Sequence, residues 1–221
     1  MSNEALKLLD FWGSPFAARV RLALAEKGLS YESQEEDLFG GKSELLLKSN
    51  PIYEKVPVLL HDGKPVVEST NIVYYIDETW PQPQLLPACS YGRSRARFWA
   101  DFIDKKVFNG GSNIWKSKGG EELETAKKEF IDILKKLEGA MGEHDYFGGD
   151  KMGFVDIILV SLSSWFPAYE KFGDFKIEEE SPKIGAWIKR CYQKESVAKS
   201  LPDTQKVIEL VSSIRQMHGI E

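Results

Sequence analysis

The stretch "KVPVLLHDGKPVVEST", residues 55–70, holds two apolar runs, Val56 to Leu60 and Pro65 to Val67, on either side of Asp62-Gly63. An Asp-Gly pair between such runs is the strongest short hairpin signal, because a type I′ turn needs positive φ at both central residues. Two antiparallel strands are therefore predicted. Val56-Pro57 stands at the head of the first strand, where a proline suggests a cis peptide bond and a sharp entry. That entry would leave the backbone N–H and C=O of Val56 free to pair with an extended peptide.

Outward from the hairpin, the spacing of apolar residues sets the rest of the order. Upstream, Leu6 to Phe11 reads as a strand, Pro15 to Lys27 as a helix and "LSYESQEEDL" as a second strand. Downstream, "STNIVYYIDETW" places Ile72, Val73 and Ile76 at helical spacing behind a Ser/Thr cap. With a short helix ahead of the hairpin, residues 1–80 read β-α-β-α-β-β-α. "PQPQLLP" follows, with three prolines and no periodicity, and marks residues 81–92 as a linker. From Arg93 to 221 nearly every apolar residue falls at helical spacing, which predicts an all-helical domain. The fold class is α/β plus all-α.

Two local signals refine the second domain. In "MGFVDI", Gly153 would be an N-cap with Asp156 at N3, flanked by a staple of Met152 and Ile157. In "NGGSN", Gly110 and Gly111 each cost about 1 kcal/mol relative to alanine in a helix, so a kink or break is expected there.

Composition excludes several classes. The chain has 221 residues, 42% of them hydrophobic, enough for one large core or two small ones. Twenty-nine Lys and Arg against 34 Asp and Glu give a net charge of -5, which argues against nucleic acid as a general partner. The most apolar segment, Ile157 to Trp165, is far shorter than the roughly 20 residues of a membrane span. The start "MSNEALKLLDFW" carries an early acid and no long apolar core, so no secretory signal is expected and the cytoplasm is the default location. Cys89 and Cys191 form no C-x-x-C pair, which argues against a disulfide framework, a metal site or a dithiol centre.

Ser14-Pro15 is well explained as an N-cap followed by proline in the first helical turn. Taken alone, that cap reading leads, with a hydroxyl that faces a substrate as the alternative. Glu68-Ser69 opens another helix, whose unsatisfied N–H groups and positive dipole end favour a carboxylate, while Glu68 could pair with an ammonium. One zwitterionic amino-acid head group would satisfy both. Taken singly, Ser69 reads as a plain cap, and Lys42 and Lys55 as solvated charges.

"SPFAARVRLALAEKG", "NPIYEKVPVLLHDGKPVVES", "GGDKMGFVDI" and "SPKIGAWIKRCYQKESVAKSLPD" together resemble the plant-type tau class of glutathione transferases, in the same order and over essentially the whole chain. The sequence departs from the pattern at Lys151, where Thr or Ser is common, and at the "NGG" break, which bears on the second-substrate pocket. The resemblance implies a thioredoxin-like domain that binds glutathione as co-substrate, with no other cofactor, and a helical domain that supplies most of a hydrophobic pocket. Ser14 would donate to the glutathione sulfur, Glu68 and Ser69 would hold the γ-glutamyl head, Val56 would pair with the cysteinyl backbone, and Lys42 and Lys55 would meet the glycyl carboxylate.

The implied activity is conjugation of small hydrophobic electrophiles, with reduction of organic hydroperoxides beside it. Phe16, Trp115, Trp165 and Trp12 are candidates for the second-substrate pocket, although aromatics at helical spacing also build cores. Relatives that exchange disulfides place cysteine where this chain has Ser14, which disfavours a thiol oxidoreductase. A non-catalytic carrier of hydrophobic ligands remains the alternative. A homodimer is also implied, with Arg93, Arg97 and Glu78 available either for a charged contact across it or for a solvated face.

Overall fold

The structure, a computed structural model, describes residues 5–220; residues 1–4, where the segment read as lacking a secretory signal begins, and residue 221 lie outside them. Its first part runs β1 (Leu6–Asp10), α1 (Pro15–Glu26), β2 (Glu32–Glu35), α2 (Glu44–Ser49), β3 (Val58–His61), β4 (Lys64–Val67) and α3 (Ser69–Thr79). This is the order the sequence predicts. The hairpin closes with Val58 opposite Val67 and His61 opposite Lys64, and both turn residues take positive φ, 49° at Asp62 and 76° at Gly63. Across the sheet the strand order is β2-β1-β3-β4, with β1 parallel to β2 and antiparallel to β3.

Alternation along the strands separates the two faces. Leu9, Val58 and Leu60 pack with Leu46 of α2 on one side, while Leu6, Leu8 and Leu59 join the main core on the other. Helix α1 is apolar around most of its circumference, from Ala17 to Leu24, so it must be covered on both sides. The sheet's main-core face and α3 cover it from within its own layer, and α6 and α10 cover it from the helical part.

That helical part comprises α4 (Ser90–Lys116), α5 (Gly120–Met141), α6 (Phe154–Ser163), α7 (Phe166–Gly173), α8 (Ile177–Glu180), α9 (Pro182–Tyr192), α10 (Glu195–Ser200) and α11 (Thr204–Met217). All ten residues of α6 are buried. Asp156 accepts the Gly153 N–H at 2.9 Å, as the capping signal predicts, and also the N–H groups of Phe147 and Gly148 and the Trp187 indole. Burial holds this carboxyl above its ordinary value, and the four donors offset only part of that rise.

The connection between the two parts is tied down. Lys27 Nζ donates to Asp77 at 2.5 Å and to the carbonyls of Trp80 and Pro83, while Asp77 accepts the N–H groups of Leu85 and Leu86. Peptide bonds 56–57 and 82–83 are both cis. The stretch expected to run irregularly to residue 92 turns helical at Ser90, where Cys89 Sγ caps the Gly92 N–H at 3.2 Å.

The expected break at Asn109-Gly110-Gly111 does not occur: α4 passes through it. A Cβ on Gly110 would lie 2.9 Å from Ile133 of α5, and one on Gly111 only 2.0 Å from the Tyr169 ring of α7. The glycines let helices approach, and packing offsets their poor helix propensity. Gly111→Ala is expected to destabilise the fold by about 1–3 kcal/mol through overpacking. Gly139→Ala, in α5 with nothing within 4 Å of the added carbon, should stabilise it by about 0.5–1 kcal/mol. Urea unfolding of both variants checks the opposite signs.

Candidate active site

Ser14 is the N-cap of α1. Its Oγ accepts the Ala17 N–H at 3.1 Å, its N–H donates to the Phe11 carbonyl at 2.9 Å, and the residue is nearly buried. A hydroxyl that accepts one bond through a lone pair still has its hydrogen to donate. The turn before it is braced from the helical part. Trp165 gives its indole N–H to the Gly13 carbonyl at 3.0 Å, and a Cβ on Gly13 would lie 2.9 Å from Leu210 of α11.

A cleft of about 250 Å³ lies between the two parts, lined by Phe16, Lys55, Val56, Pro57, Glu68, Ser69, Thr70 and Asp104. It brings together five residues singled out from the sequence: Phe16, Lys55, Val56, Glu68 and Ser69. Among the described residues, the backbone of Val56 makes no hydrogen bond, and neither the Glu68 carboxylate nor the Lys55 ammonium has a partner. Glu68 sits at φ 67°, ψ 112°, a region that costs of order 1–3 kcal/mol for a residue with a side chain. Its side chain makes no cap bond, so the carboxylate stays exposed beside the first turn of α3.

The remaining predicted residues lie outside the cleft lining. Lys42 is 4.0 Å from Glu54. Trp12 is 38% exposed and tilts against Phe11. Trp115 is buried, with Lys116 over its ring and its indole N–H unpartnered. Trp165 is buried as well, and meets the edge of Phe108 at 5.7 Å, which in turn meets Phe16 at 5.0 Å. Phe108 thus links Phe16 to Trp165, a role that sequence reasoning missed.

It also missed Arg19. This fully buried guanidinium donates to Ser69 Oγ at 3.0 Å, to Thr70 Oγ1 at 2.8 Å and to the Ile158 carbonyl at 3.2 Å, and it pairs with Asp104 at 2.8 Å. Thr70 in turn donates to Asp104 at 2.8 Å. Burial pulls the Arg19 pKa down from its ordinary value, and Asp104 pushes it back up. The signal for it was an arginine amid Ala17, Ala18, Val20 and Leu22, since a charge on a helix buried all round needs a partner.

A cis-proline strand entry, a four-stranded β2-β1-β3-β4 sheet and a helix N-terminus beside an unpaired carboxylate define a thioredoxin-like protein. Comparison with known proteins says which. A family model for the glutathione S-transferase N-terminal domain matches residues 4–78, and one for the C-terminal domain matches residues 99–195. A probable glutathione S-transferase, parC, of Nicotiana tabacum is 56% identical over the full length of both chains, and glutathione S-transferase U19 of Arabidopsis thaliana is 56% identical over 98% of each. Among solved structures, rice GST1 in complex with glutathione superposes with a TM-score of 0.95 at 45% identity over all of both chains. A tau-class glutathione S-transferase from mango, Mangifera indica, gives 0.89 at 37% identity, covering 94% of this chain and 97% of its own. The chain belongs to the glutathione S-transferase family, within its tau class, and is an enzyme that conjugates glutathione.

Replacing Glu68 separates backbone strain from binding. Glu68→Gly removes both the carboxylate and the Cβ from a positive-φ position. It is expected to raise KM for glutathione about tenfold, the loss of one charge-assisted contact. Thermal unfolding of the same variant should show no loss of stability.

Proposed function

We propose that glutathione lies along the cleft with its sulfur at Ser14 and its γ-glutamyl head at Glu68 and Ser69. Glu68 receives the ammonium, and the N–H groups at the start of α3 receive the carboxylate. The cysteinyl backbone pairs with Val56 across the unpaired edge before β3, and Lys55, with Lys42 further out, faces the glycyl carboxylate. Arg19 acts on this head group only through Ser69 and Thr70, as a positioning residue.

The bond that Ser14 already makes carries this reading. With its lone pair on the Ala17 N–H, its hydrogen remains available to donate at the positive end of a 12-residue helix. The glutathione thiol starts near the ordinary thiol pKa of about 8.5, so only a few per cent is thiolate at neutral pH. Lowering it by about two units requires about 2.7 kcal/mol of preference for the thiolate. A hydrogen bond to a charged group supplies about 1.5–3 kcal/mol, and a helix N-terminus about 0.3–1. Serine does not ionise. The thiolate attacks the electrophilic carbon, a carbon–sulfur bond forms, and the leaving group departs with the electron pair of the broken bond.

The electrophile rests on the Phe16 and Phe108 rings, with Trp165 and Trp115 behind them and Trp12 at the outer rim. Thiol exchange by the protein itself is disfavoured by the placement of its cysteines. Cys89 caps α4 away from the cleft, and Cys191 is buried in α9, which pushes its thiol up. Exposed Ile52, Tyr53 and Phe98, at 82, 57 and 61%, support a homodimer interface. Arg97 lies over Tyr74, and Arg93 turns back onto the Ala88 carbonyl and Ser90. Phe98→Asp should shift the protein from dimer to monomer in sedimentation.

Titration of bound glutathione tests the role of Ser14. In Ser14→Ala, the thiol pKa is expected to return toward about 8.5, moving the rising limb of kcat/KM to higher pH. The lost cap should cost about 1 kcal/mol of stability. A thiol that ionises as in the parent overturns the assignment. Ser14→Cys should gain thiol transferase activity at the expense of conjugation.

A further inference from the structure

Arg21 follows Ser14 by about two turns of α1, on the same face, and its side chain runs back toward the turn that starts the helix. Its three nitrogens reach three segments. Nε donates to the Ser200 carbonyl at the end of α10 at 2.9 Å, Nη1 to Asp10 Oδ1 at the end of β1 at 2.5 Å, and Nη2 to the Trp12 carbonyl at 3.2 Å. Asp10 is buried, and the same oxygen accepts the Phe11 N–H at 2.7 Å.

Residues 11–14 belong to neither β1 nor α1, so their backbone groups find partners elsewhere. The Phe11 N–H goes to Asp10, the Trp12 N–H to Glu35 of β2 at 2.7 Å, the Trp12 carbonyl to Arg21 and the Gly13 carbonyl to Trp165. Within the turn, the Ser14 N–H closes onto the Phe11 carbonyl. Arg21 is the link among these contacts, because it holds both the middle of the turn and the carboxylate that holds its beginning. A hydrogen bond weakens steeply as its angle closes, so a tilt of this turn reaches anything that Ser14 Oγ donates to.

We propose that Arg21 is a positioning residue for conjugation: it fixes the Phe11-Trp12-Gly13 turn so that the Ser14 hydroxyl is aimed at the glutathione sulfur. The inference rests on the reading of Ser14 as donor to that sulfur. Arg21 acts by geometry rather than by charge, which Asp10 neutralises directly. The other ionisable groups at hand are Glu35, on the Trp12 N–H, and Tyr31, whose phenol is pushed up by burial and by Asp10 and stays neutral. A lysine here would keep the charge but has no planar fork to hold Asp10, Trp12 and Ser200 at once.

Arg21→Lys and Arg21→Gln, measured beside the parent and Ser14→Ala, test this. With glutathione saturating, the rising limb of kcat is expected to move up by about one pH unit in both Arg21 variants, leaving the rate about tenfold lower on the acid side and equal to the parent's once the thiol is fully ionised. Ultraviolet absorbance of the bound thiolate should titrate in step. Affinity for S-methylglutathione, which has no thiol to ionise, should match the parent's within about twofold. A bound thiol that titrates in both Arg21 variants as in the parent, while Ser14→Ala shifts it, overturns the inference. A shift in Arg21→Gln that is absent from Arg21→Lys also overturns it, since the effect is then one of charge. So does a rate lost equally at every pH together with weakened S-methylglutathione binding, the mark of a purely structural contact. A thiol unmoved in Ser14→Ala overturns the donor role of Ser14 itself, and the inference with it.

Discussion

A single guanidinium holds the sheet layer and the helical layer in register. Arg19 rises from α1 into the plane where the sheet layer meets the helical layer, and there it bridges the first turn of α3, the middle of α4 and a carbonyl of α6. A buried charge is costly unless its donors are used, and here the cost is offset by one carboxylate, two hydroxyls and a carbonyl. The geometry is selective. A lysine would carry the charge but could not span three elements with one planar group. Because Ser69 is among the partners, the start of α3 is positioned by the same contact that joins the two layers.

Ser14 is placed by the same economy. The hydroxyl that stops a helix N-terminus from fraying is already held at a fixed distance from the first N–H groups of α1. No further support is needed to aim it, except that the preceding turn must not drift. Trp165 and Leu210 fix that turn from the α6–α7 junction and α11, so the helical layer braces the turn that carries Ser14. The Phe16–Phe108–Trp165 chain of rings runs from α1 into the helical layer.

What the chain order revealed, and what it hid, follows from the range of the interactions. The Asp62-Gly63 turn, the Ser14 cap and the Gly153-Asp156 cap are set by neighbours within a few residues, so composition and spacing were enough. Glu68 and Ser69 were legible because a helix start with an adjacent acid is itself local chemistry. Gly110 and Gly111 misled, since propensity counts only the helix they sit in, whereas Ile133 and Tyr169 come from other helices. Arg19, Asp104 and Phe108 were hidden for the same reason: each matters through partners 34 or more residues away in sequence, or through rings on another element. Lys27 and Asp77 were hidden likewise.

That last pair governs how the molecule can move. Lys27 holds Asp77, Trp80 and Pro83 together, and Asp77 holds the next two amides, so the chain between the layers has no slack to act as a hinge. With α1 also clasped from both sides, the layers cannot swing apart to admit a ligand. Entry to the cleft then depends on small excursions of its own lining, at Phe16 and along Lys55 to Pro57, while the floor stays rigid. What such a molecule can admit is then set by an opening whose width only side chains and short loops can change.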